Sequence, residues 1–299
     1  MTSARRPLRG LRVGLSVSGE PQELARFGFS EAGMNRFTVR LAHALLAEGA
    51  CLAFGHDWRP EGIMEAIASL GIDYHRPLDE SHHQPAILNL VPWPARSSST
   101  DPTLLERLEG TVQVTPVGLP HEFAAFAEQA LELGPRSPEY LYLRSRGLTH
   151  LRRELEEHCQ ARVAVGGKLR NYQGRLPGIV EEALFALEAG HALYLAGLMG
   201  GAAYQLGRVL LGESDPHSVL EDLPLKQLYA SRRFELGDMA GQPSEDSVLD
   251  PEALAARLGS PDLQERLLAN GLSKNENLRL LETTLEEECI HLVLKGLQT

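Results

Sequence analysis

The sequence predicts a three-layer α/β fold, in which a mostly parallel sheet has helices on both faces. Short apolar runs alternate with longer segments that have helical periodicity. Several of the apolar runs are continuous, which is typical of strands buried on both faces of a parallel sheet. Loops rich in glycine and proline follow several of these runs. Together the three observations indicate βαβ units arranged as in Rossmann-like domains.

Six apolar runs are predicted to be strands: Arg12–Val17, Ala50–Phe54, Ala86–Val91, Val112–Val117, Arg162–Val165 and Ala192–Ala196. Six segments with helical periodicity are predicted to be helices: Glu31–Glu48, Gly62–Leu70, Glu122–Leu133, Pro138–His158, Pro177–Ala189 and Ala202–Leu211. Glycines at the ends of several of these segments indicate where helices stop, such as Gly71 after the second. The order of strands and helices is the one expected of a parallel sheet.

The character of the chain changes after about residue 216. We predict an α/β ligand-binding domain over residues 10–215 and a C-terminal helical extension over residues 216–299. Gly237–Ser247 is predicted to be a loop, and Asn270–Leu297 has leucines at helical spacing. Two interpretations of this tail are open: it packs on its own domain, or it contacts a partner subunit.

Composition excludes several classes of function. The chain of 299 residues has a formal net charge of −11, which disfavours binding to the nucleic-acid backbone. Its three cysteines are far apart and in no metal-ligand spacing, so neither a disulfide framework nor a metal site is predicted. Without a signal peptide or an apolar run long enough to span a membrane, the sequence favours the cytoplasm. No cofactor is predicted.

Four arginines are clustered in the fourth predicted helix and lie between two acidic regions. They form either a basic patch or a solvated helix face, and the second interpretation is favoured because charged clusters are usually solvated. The residues are Arg144, Arg146, Arg152 and Arg153.

The segment from Ala161 to Gly201 carries the strongest indication of a ligand site. Gly166 and Gly167 directly follow the fifth strand, where a backbone without side chains lets a ligand approach closely. Lys168 and Arg170 add positive charge, and Gly178 opens the next helix. The N-terminus of that helix offers unpaired N–H groups and a positive dipole end, both suited to a phosphate.

Two glutamates, Glu181 and Glu182, lie in the first turns of the same helix. They stabilise the helix dipole in one interpretation. In the other, one of them holds a ribose hydroxyl or acts as a general acid or base. The residue types alone leave both open.

A second candidate loop follows the strand Ala50–Phe54. Its predicted binding residues begin with Gly55, which ends the strand. Asp57 suits ribose hydroxyls and Arg59 suits phosphate, while Trp58 either stacks on a base or anchors the core. His56 titrates near neutral pH.

Two further loops are predicted to face the ligand. Ser18 and Gly19 follow the first strand, and Gly200 and Gly201 follow the last one. In each case the alternative is an ordinary tight turn.

These residues together resemble the SLOG superfamily, which joins the DNA-uptake protein DprA with the LOG phosphoribohydrolases. LOG enzymes carry PGGxGTxxE, in which the glycines cradle phosphate and the glutamate serves N-glycosidic cleavage. The pair Gly166-Gly167 matches GG and Gly178–Glu182 matches GTxxE, so the resemblance implies that Glu182 is catalytic if the protein is an enzyme. Gly55 and Gly62–Ala66 are similar to the family's GGGxxGLMGA. The resemblance covers roughly residues 10 to 215.

Two departures distinguish the sequence from the LOG motif. Ten residues separate Gly167 from Gly178, where LOG has one, and Ile179 stands in place of threonine. The sequence looks more like the SLOG branches linked to nucleotide signalling and bacterial conflict, such as the sensor domain of the Thoeris antiphage effector. That likeness implies sensing of an NAD- or ADP-ribose-derived ligand, and SLOG membership implies a homo-oligomer.

Three hypotheses about function follow. The favoured one is a protein that binds and senses a small nucleotide derivative. The second is a nucleotide N-glycosidase or phosphoribohydrolase of the LOG type, in which Glu182 and a water cleave the bond at the ribose while the glycine loops hold phosphate. The third is an interaction protein whose glycine loops are only turns.

Overall fold

The computed structural model describes residues 6–55, 63–74, 84–94, 110–221 and 250–299. Within them the chain forms one six-stranded sheet in which every pair of neighbouring strands is parallel. The strands are β1 (Arg12–Ser18), β2 (Cys51–Phe54), β3 (Ile87–Pro92), β4 (Val112–Val117), β5 (Ala161–Gly166) and β6 (Ala192–Ala196). The predicted fold class is confirmed, and each predicted strand is present to within about one residue at its ends.

Eleven α-helices lie in the described residues. They are α1 (Pro21–Arg26), α2 (Glu31–Ala47), α3 (Ile63–Tyr74), α4 (Ala127–Leu133), α5 (Pro138–Glu157), α6 (Gly178–Glu188), α7 (Gly201–Leu210), α8 (Pro251–Leu258), α9 (Pro261–Leu268), α10 (Lys274–Glu282) and α11 (Glu286–Leu297). Several begin at a serine or aspartate whose side chain accepts a backbone N–H of the first turn, as Ser137 does for α5. Short 3₁₀ turns cover His121–Phe126, Gly197–Met199 and Pro216–Val219.

One face of the sheet is covered by α2, α3, α10 and α11. Because side chains alternate along a strand, Val163 and Val165 of β5 point to this face. They join a large core with Phe37 and Leu41 of α2, both fully buried. Val293 of α11 belongs to the same core. The last helix of the chain is therefore part of the main hydrophobic core.

The other face is covered by α5, α6, α7, α8 and α9. Ala164 of β5 points this way and packs with α6 and α7. Leu258 of α8 and Leu267 of α9 join the same core. Thus the described part of the predicted C-terminal extension packs on both faces of the sheet of its own chain. The division of the chain at residue 215 stays a prediction.

Two details of the predicted helices were wrong. Gly71 does not end the second helix but lies inside α3. Tertiary packing outweighs its low helix propensity, because Gly71 fits closely against Ile87 of β3. The segment Glu122–Leu133 is a 3₁₀ turn followed by α4. The tail Asn270–Leu297 contains two helices, α10 and α11, separated by residues 283–285.

The strand order places a natural ligand crevice at one end of the sheet. The order is β4-β3-β2-β1-β5-β6, so the direction of chain progression reverses between β1 and β5. In open α/β sheets, ligands bind beyond the carboxyl ends of the strands at such a reversal. Ser18 and Gly166, the last residues of β1 and β5, are paired there. We call this end of the sheet the carboxyl edge.

The close approach of α7 to this edge gives a stability prediction. Gly201 has φ +65°, and a Cβ on it would lie 2.4 Å from the carbonyl oxygen of Gly167. Gly190 has φ +74° but no atom within 4 Å of such a Cβ. Gly190→Ala should lower the free energy of unfolding by about 1–2 kcal/mol, the cost of the left-handed conformation. Gly201→Ala should lower it by about 1–3 kcal/mol more, because backbone must move. Urea unfolding of the two variants measures the difference, and equal losses would show that α7 does not touch the edge.

Candidate functional site

The carboxyl ends of β1 and β5 are joined by their backbones. The N–H of Gly167 donates to the carbonyl of Ser18 at 2.6 Å. Gly166 has φ +67°, and a Cβ on it would fall 2.3 Å from the same carbonyl oxygen. Glycine at position 166 is therefore required by packing alone. Its predicted contact with a ligand stays a prediction.

The last glycine pair closes on the same point. Ala202, in the first turn of α7, donates its N–H to the carbonyl of Gly167 at 3.1 Å. A Cβ on Gly200 would collide with the ring of Phe27. These glycines bring the N-terminus of α7 onto the end of β5, so they form the tight turn that the sequence left open. Whether they also face a ligand stays a prediction.

The ten-residue loop between Gly167 and Gly178 is largely packed down. Tyr172 and Leu176 are buried, while Lys168 and Arg170 are exposed. Arg170 forms an exposed ion pair with Glu221 at 2.7 Å. Lys168 has no carboxylate partner among the described residues. Lys168 thus carries an exposed charge that no described carboxylate pairs with.

Arg152 of α5 holds this loop to the start of α6. A Cβ on Gly174 would lie 2.5 Å from one terminal nitrogen of its guanidinium, and a Cβ on Gly178 2.7 Å from the other. Glycine at both positions makes room for a buried guanidinium. The same guanidinium bonds Glu181 and lies 3.3 Å from Glu182. The loop, the helix start and α5 are thus fixed by one side chain.

The structure assigns Glu181 a buried structural position. Its side chain is enclosed, with one carboxylate oxygen bonded to Arg152 and the other accepting the Thr149 hydroxyl at 2.8 Å. Both oxygens are occupied inside the protein. The interpretation in which Glu181 has a structural role agrees with this arrangement, and its binding to a ligand stays a prediction.

Glu182 lies between the sheet and α5. It accepts a hydrogen bond from Ser16 of β1 and from Arg162 of β5, the latter at 3.0 Å. Arg162 also donates to the Ser16 hydroxyl at 2.7 Å. With Arg152 on its other oxygen, the carboxylate has one serine and two guanidinium groups around it. The side chain of Glu182 keeps 17% exposure.

The network continues away from the carboxyl edge. Arg162 donates from Nε to Glu156 of α5 at 2.7 Å. The other oxygen of Glu156 bonds Nδ1 of His191, at the start of β6, at 2.7 Å. A chain of polar contacts therefore crosses the second face of the sheet from α6 to the amino end of β6. Buried charges are tolerated there because each has a partner.

The pKa values of the two buried arginines follow from these contacts. Burial alone would lower the pKa of Arg152, but Glu181 and Glu182 outweigh it and raise the pKa above the usual arginine value. Burial opposes the charge of Arg162 too, and Glu182 and Glu156 raise its pKa. Both guanidinium groups are therefore charged at neutral pH.

Most of the predicted site residues that the structure describes lie at the carboxyl edge. The loop after β2 is the exception. His56, Asp57, Trp58 and Arg59 lie outside the described residues, so the second predicted loop stays a prediction. Gly55 is described, and a Cβ on it would contact Leu151 of α5. Gly19 has its own packing reason, because a Cβ there would contact Leu24 of α1.

Sequence reasoning missed the arginine and serine beneath Glu182. Arg162 stands inside a run predicted to be buried on both faces, and a charge in such a run needs buried partners of opposite sign. That signal was available and indicated a buried acid nearby, which the structure shows to be Glu156 and Glu182. The favoured interpretation of the α5 arginines was also wrong for Arg146 and Arg152, which are 7% and 8% exposed.

Comparison with known families agrees with this architecture. The sequence model of the family described as SLOG cluster2 matches residues 7–280. The chain therefore belongs to the SLOG superfamily, which confirms that part of the resemblance. SLOG membership indicates a nucleotide-related function and leaves the ligand open. No curated protein and no solved structure matches the chain.

No helix in the described ranges is long and apolar enough to cross a membrane. Within the same ranges, no group of three or more histidine, cysteine, aspartate or glutamate side chains is arranged to hold a metal ion.

The buried network gives a second stability prediction. Arg162→Met should lower the free energy of unfolding by about 3–5 kcal/mol, because it removes the buried cation that Glu156 and Glu182 share. Arg26→Met is the matched control, since Arg26 forms an exposed pair with Glu23 in which the side chains are 73% and 36% exposed. The control should change stability by less than about 1 kcal/mol. Guanidinium unfolding measures both, and a small loss for Arg162→Met would mean that the network does not stabilise the fold.

Proposed function

We propose that this protein binds a small nucleotide derivative of the NAD or ADP-ribose type at the carboxyl edge, and senses it without hydrolysing it. The ligand would lie across the crevice between β1 and β5, with a phosphate near the start of α6. The proposal places the protein with the SLOG branches that serve nucleotide signalling or defence, to which the Thoeris sensor domain belongs.

The position of the site is supported by helix ends that meet at one point. The N-cap residue of α6, Pro177, has no side chain able to accept a hydrogen bond, and that of α7 is Gly200. Helix N-termini without side-chain caps attract anions through free N–H groups and the helix dipole. Lys168 adds an exposed positive charge beside them. These features favour a ligand with phosphate groups.

The observation that favours sensing over hydrolysis is the environment of Glu182. A general base needs a free lone pair directed at a water near the reacting carbon. Here Ser16, Arg162 and Arg152 all bond or contact the carboxylate. The two guanidinium groups balance its charge and hold its orientation. Such a glutamate stabilises the helix and is poorly placed to activate water.

The alternative function is hydrolysis of an N-glycosidic bond. Two observations favour it: Glu182 falls at the position of the glutamate in the LOG motif, and its side chain keeps 17% exposure. A ligand that drew Arg152 away would free one carboxylate oxygen. We keep this alternative because a single experiment separates it from sensing.

The resemblance also leads us to propose a cytoplasmic homo-oligomer. This part of the proposal depends on family likeness. Sedimentation of the purified chain tests the oligomeric state.

The test of function combines binding with product analysis. The purified chain is incubated with AMP, CMP, NAD or ADP-ribose, its melting temperature is recorded, and the solution is analysed for free base by chromatography. We expect ADP-ribose-type ligands to raise the melting temperature, since a ligand at about 100 times its Kd stabilises the folded state by about 2.7 kcal/mol. We expect no base to be released.

Glu182→Gln is the control variant for this experiment. It removes the charge and keeps the shape of the side chain. Base release by the wild type that disappears in Glu182→Gln would establish the hydrolase and end the sensing proposal. A melting temperature that no nucleotide changes would leave the third hypothesis, an interaction protein whose glycines serve only the fold.

A further inference from the structure

Arg146 of α5 is a buried cation without an acidic partner among the described residues. Its residue is 7% exposed, and its Nε has no hydrogen-bond partner. Arg152 and Arg162, by contrast, each contact two glutamates. Because a buried charge is costly unless it is paired, Arg146 indicates an anion that the described residues do not supply.

The position of Arg146 follows from the packing of α5 beside α6. Thr149 donates to Glu181 at 2.8 Å, and Arg153 stacks over the ring of Phe185. Arg146 precedes Thr149 by three residues, so it projects from the same side of the helix. The three residues span about 4.5 Å along the axis. Helix geometry therefore puts Arg146 about one turn before Thr149, toward the level at which α6 begins.

The direction of the two helices shows that Arg146 lies at the carboxyl edge. Both helices follow the carboxyl end of a strand and lead to the amino end of the next one, α5 from β4 to β5 and α6 from β5 to β6. Going backward along α5 from Thr149 therefore leads toward the crevice. Arg146 and the N-terminus of α6 lie at the same end of the sheet.

An aromatic ring fixes the guanidinium. The Cζ of Arg146 lies 5.3 Å from the centre of the Phe123 ring, and Phe123 is itself buried at 5% exposure. A cation over the face of a ring is attracted to it, and the N–H donors of a guanidinium form a planar fork. That fork matches two oxygens of a phosphate.

Among the described residues, the N-terminus of α6 also has no carboxylate that caps it. Pro177 provides no side-chain cap, and the acid of the first turn, Glu181, is bonded to Thr149 and Arg152. The positive end of the helix dipole is therefore uncompensated by a carboxylate at the N-cap. Arg146 and the N-terminus of α6 are therefore two independent positive features at the carboxyl edge.

We infer that Arg146 and the N-terminus of α6 form a subsite for one phosphate group of the ligand, with Arg146 as the residue that binds it through its guanidinium. This inference rests on the proposed function and names the part of the site that reads the anion. The arginine was present in the sequence as one of four, and only its burial without a partner distinguishes it.

The experiment compares two buried arginines changed in the same way. Arg146→Met and Arg152→Met are prepared in the full chain, and the melting temperature without ligand and the Kd for ADP-ribose are measured for each. Arg146→Met removes an uncompensated charge, so its melting temperature should equal or exceed that of the wild type while its Kd rises at least tenfold. Arg152→Met leaves the buried Glu181 without its cation and takes one of two cations from Glu182, so its melting temperature should fall. Arg146→Lys keeps the charge and should recover part of the affinity.

Inorganic pyrophosphate separates this inference from the proposed function. If the wild type binds no nucleotide but pyrophosphate stabilises it and not Arg146→Met, the anion subsite stands and the nucleotide proposal falls. The inference is overturned if Arg146→Met binds ADP-ribose as tightly as the wild type. It is also overturned if Arg146→Met melts as early as Arg152→Met, because Arg146 would then be structural. A wild type that responds to no probe overturns both.

Discussion

The ion pair between Arg162 and Glu182 is the interaction on which the rest of this site depends. It joins β5 to α6 at 3.0 Å in a place where Arg162 is fully buried. Ser16 connects the same two side chains to β1. The pair therefore ties together the two strands between which the sheet reverses direction and the helix whose N-terminus faces the crevice. Without it, α6 would keep its apolar face against the sheet and its contacts with Arg152 and Thr149 of α5, but would lose its ion pair with β5.

This arrangement separates the charges that hold the fold from those that remain for a ligand. Three glutamates and two arginines on the second face of the sheet pair with one another, with His191 at the far end. Their geometry is fixed before any ligand arrives, so binding need not order them. Lys168 and Arg146 have no acid within the parts of the chain that the structure describes. A phosphate at the crevice would meet these two cations and the helix ends, while the network beneath stays intact.

The sequence was informative about the fold and less so about the roles of individual residues. Continuous apolar runs and glycine stops are local signals, and they placed all six strands. The roles of Glu181 and Glu182 depend on Arg152 and Arg162, and local patterns do not show which arginine lies near which glutamate. Gly174 and Gly178 were visible as glycines, but only the fold shows that they make room for a guanidinium. The one signal that sequence reasoning passed over was an arginine inside an apolar strand, which requires a buried acid nearby.

The central claim is that the crevice binds phosphate above a glutamate that is structural. A crystal structure of the full chain with ADP-ribose tests it most directly. The account predicts a phosphate within about 3 Å of the backbone N–H groups at the start of α6 and of the Arg146 guanidinium. It also predicts that Glu182 keeps its contacts with Ser16 and Arg162. A complex in which Glu182 has left those partners and lies beside a water at the ribose C1′ would contradict the account and establish hydrolysis.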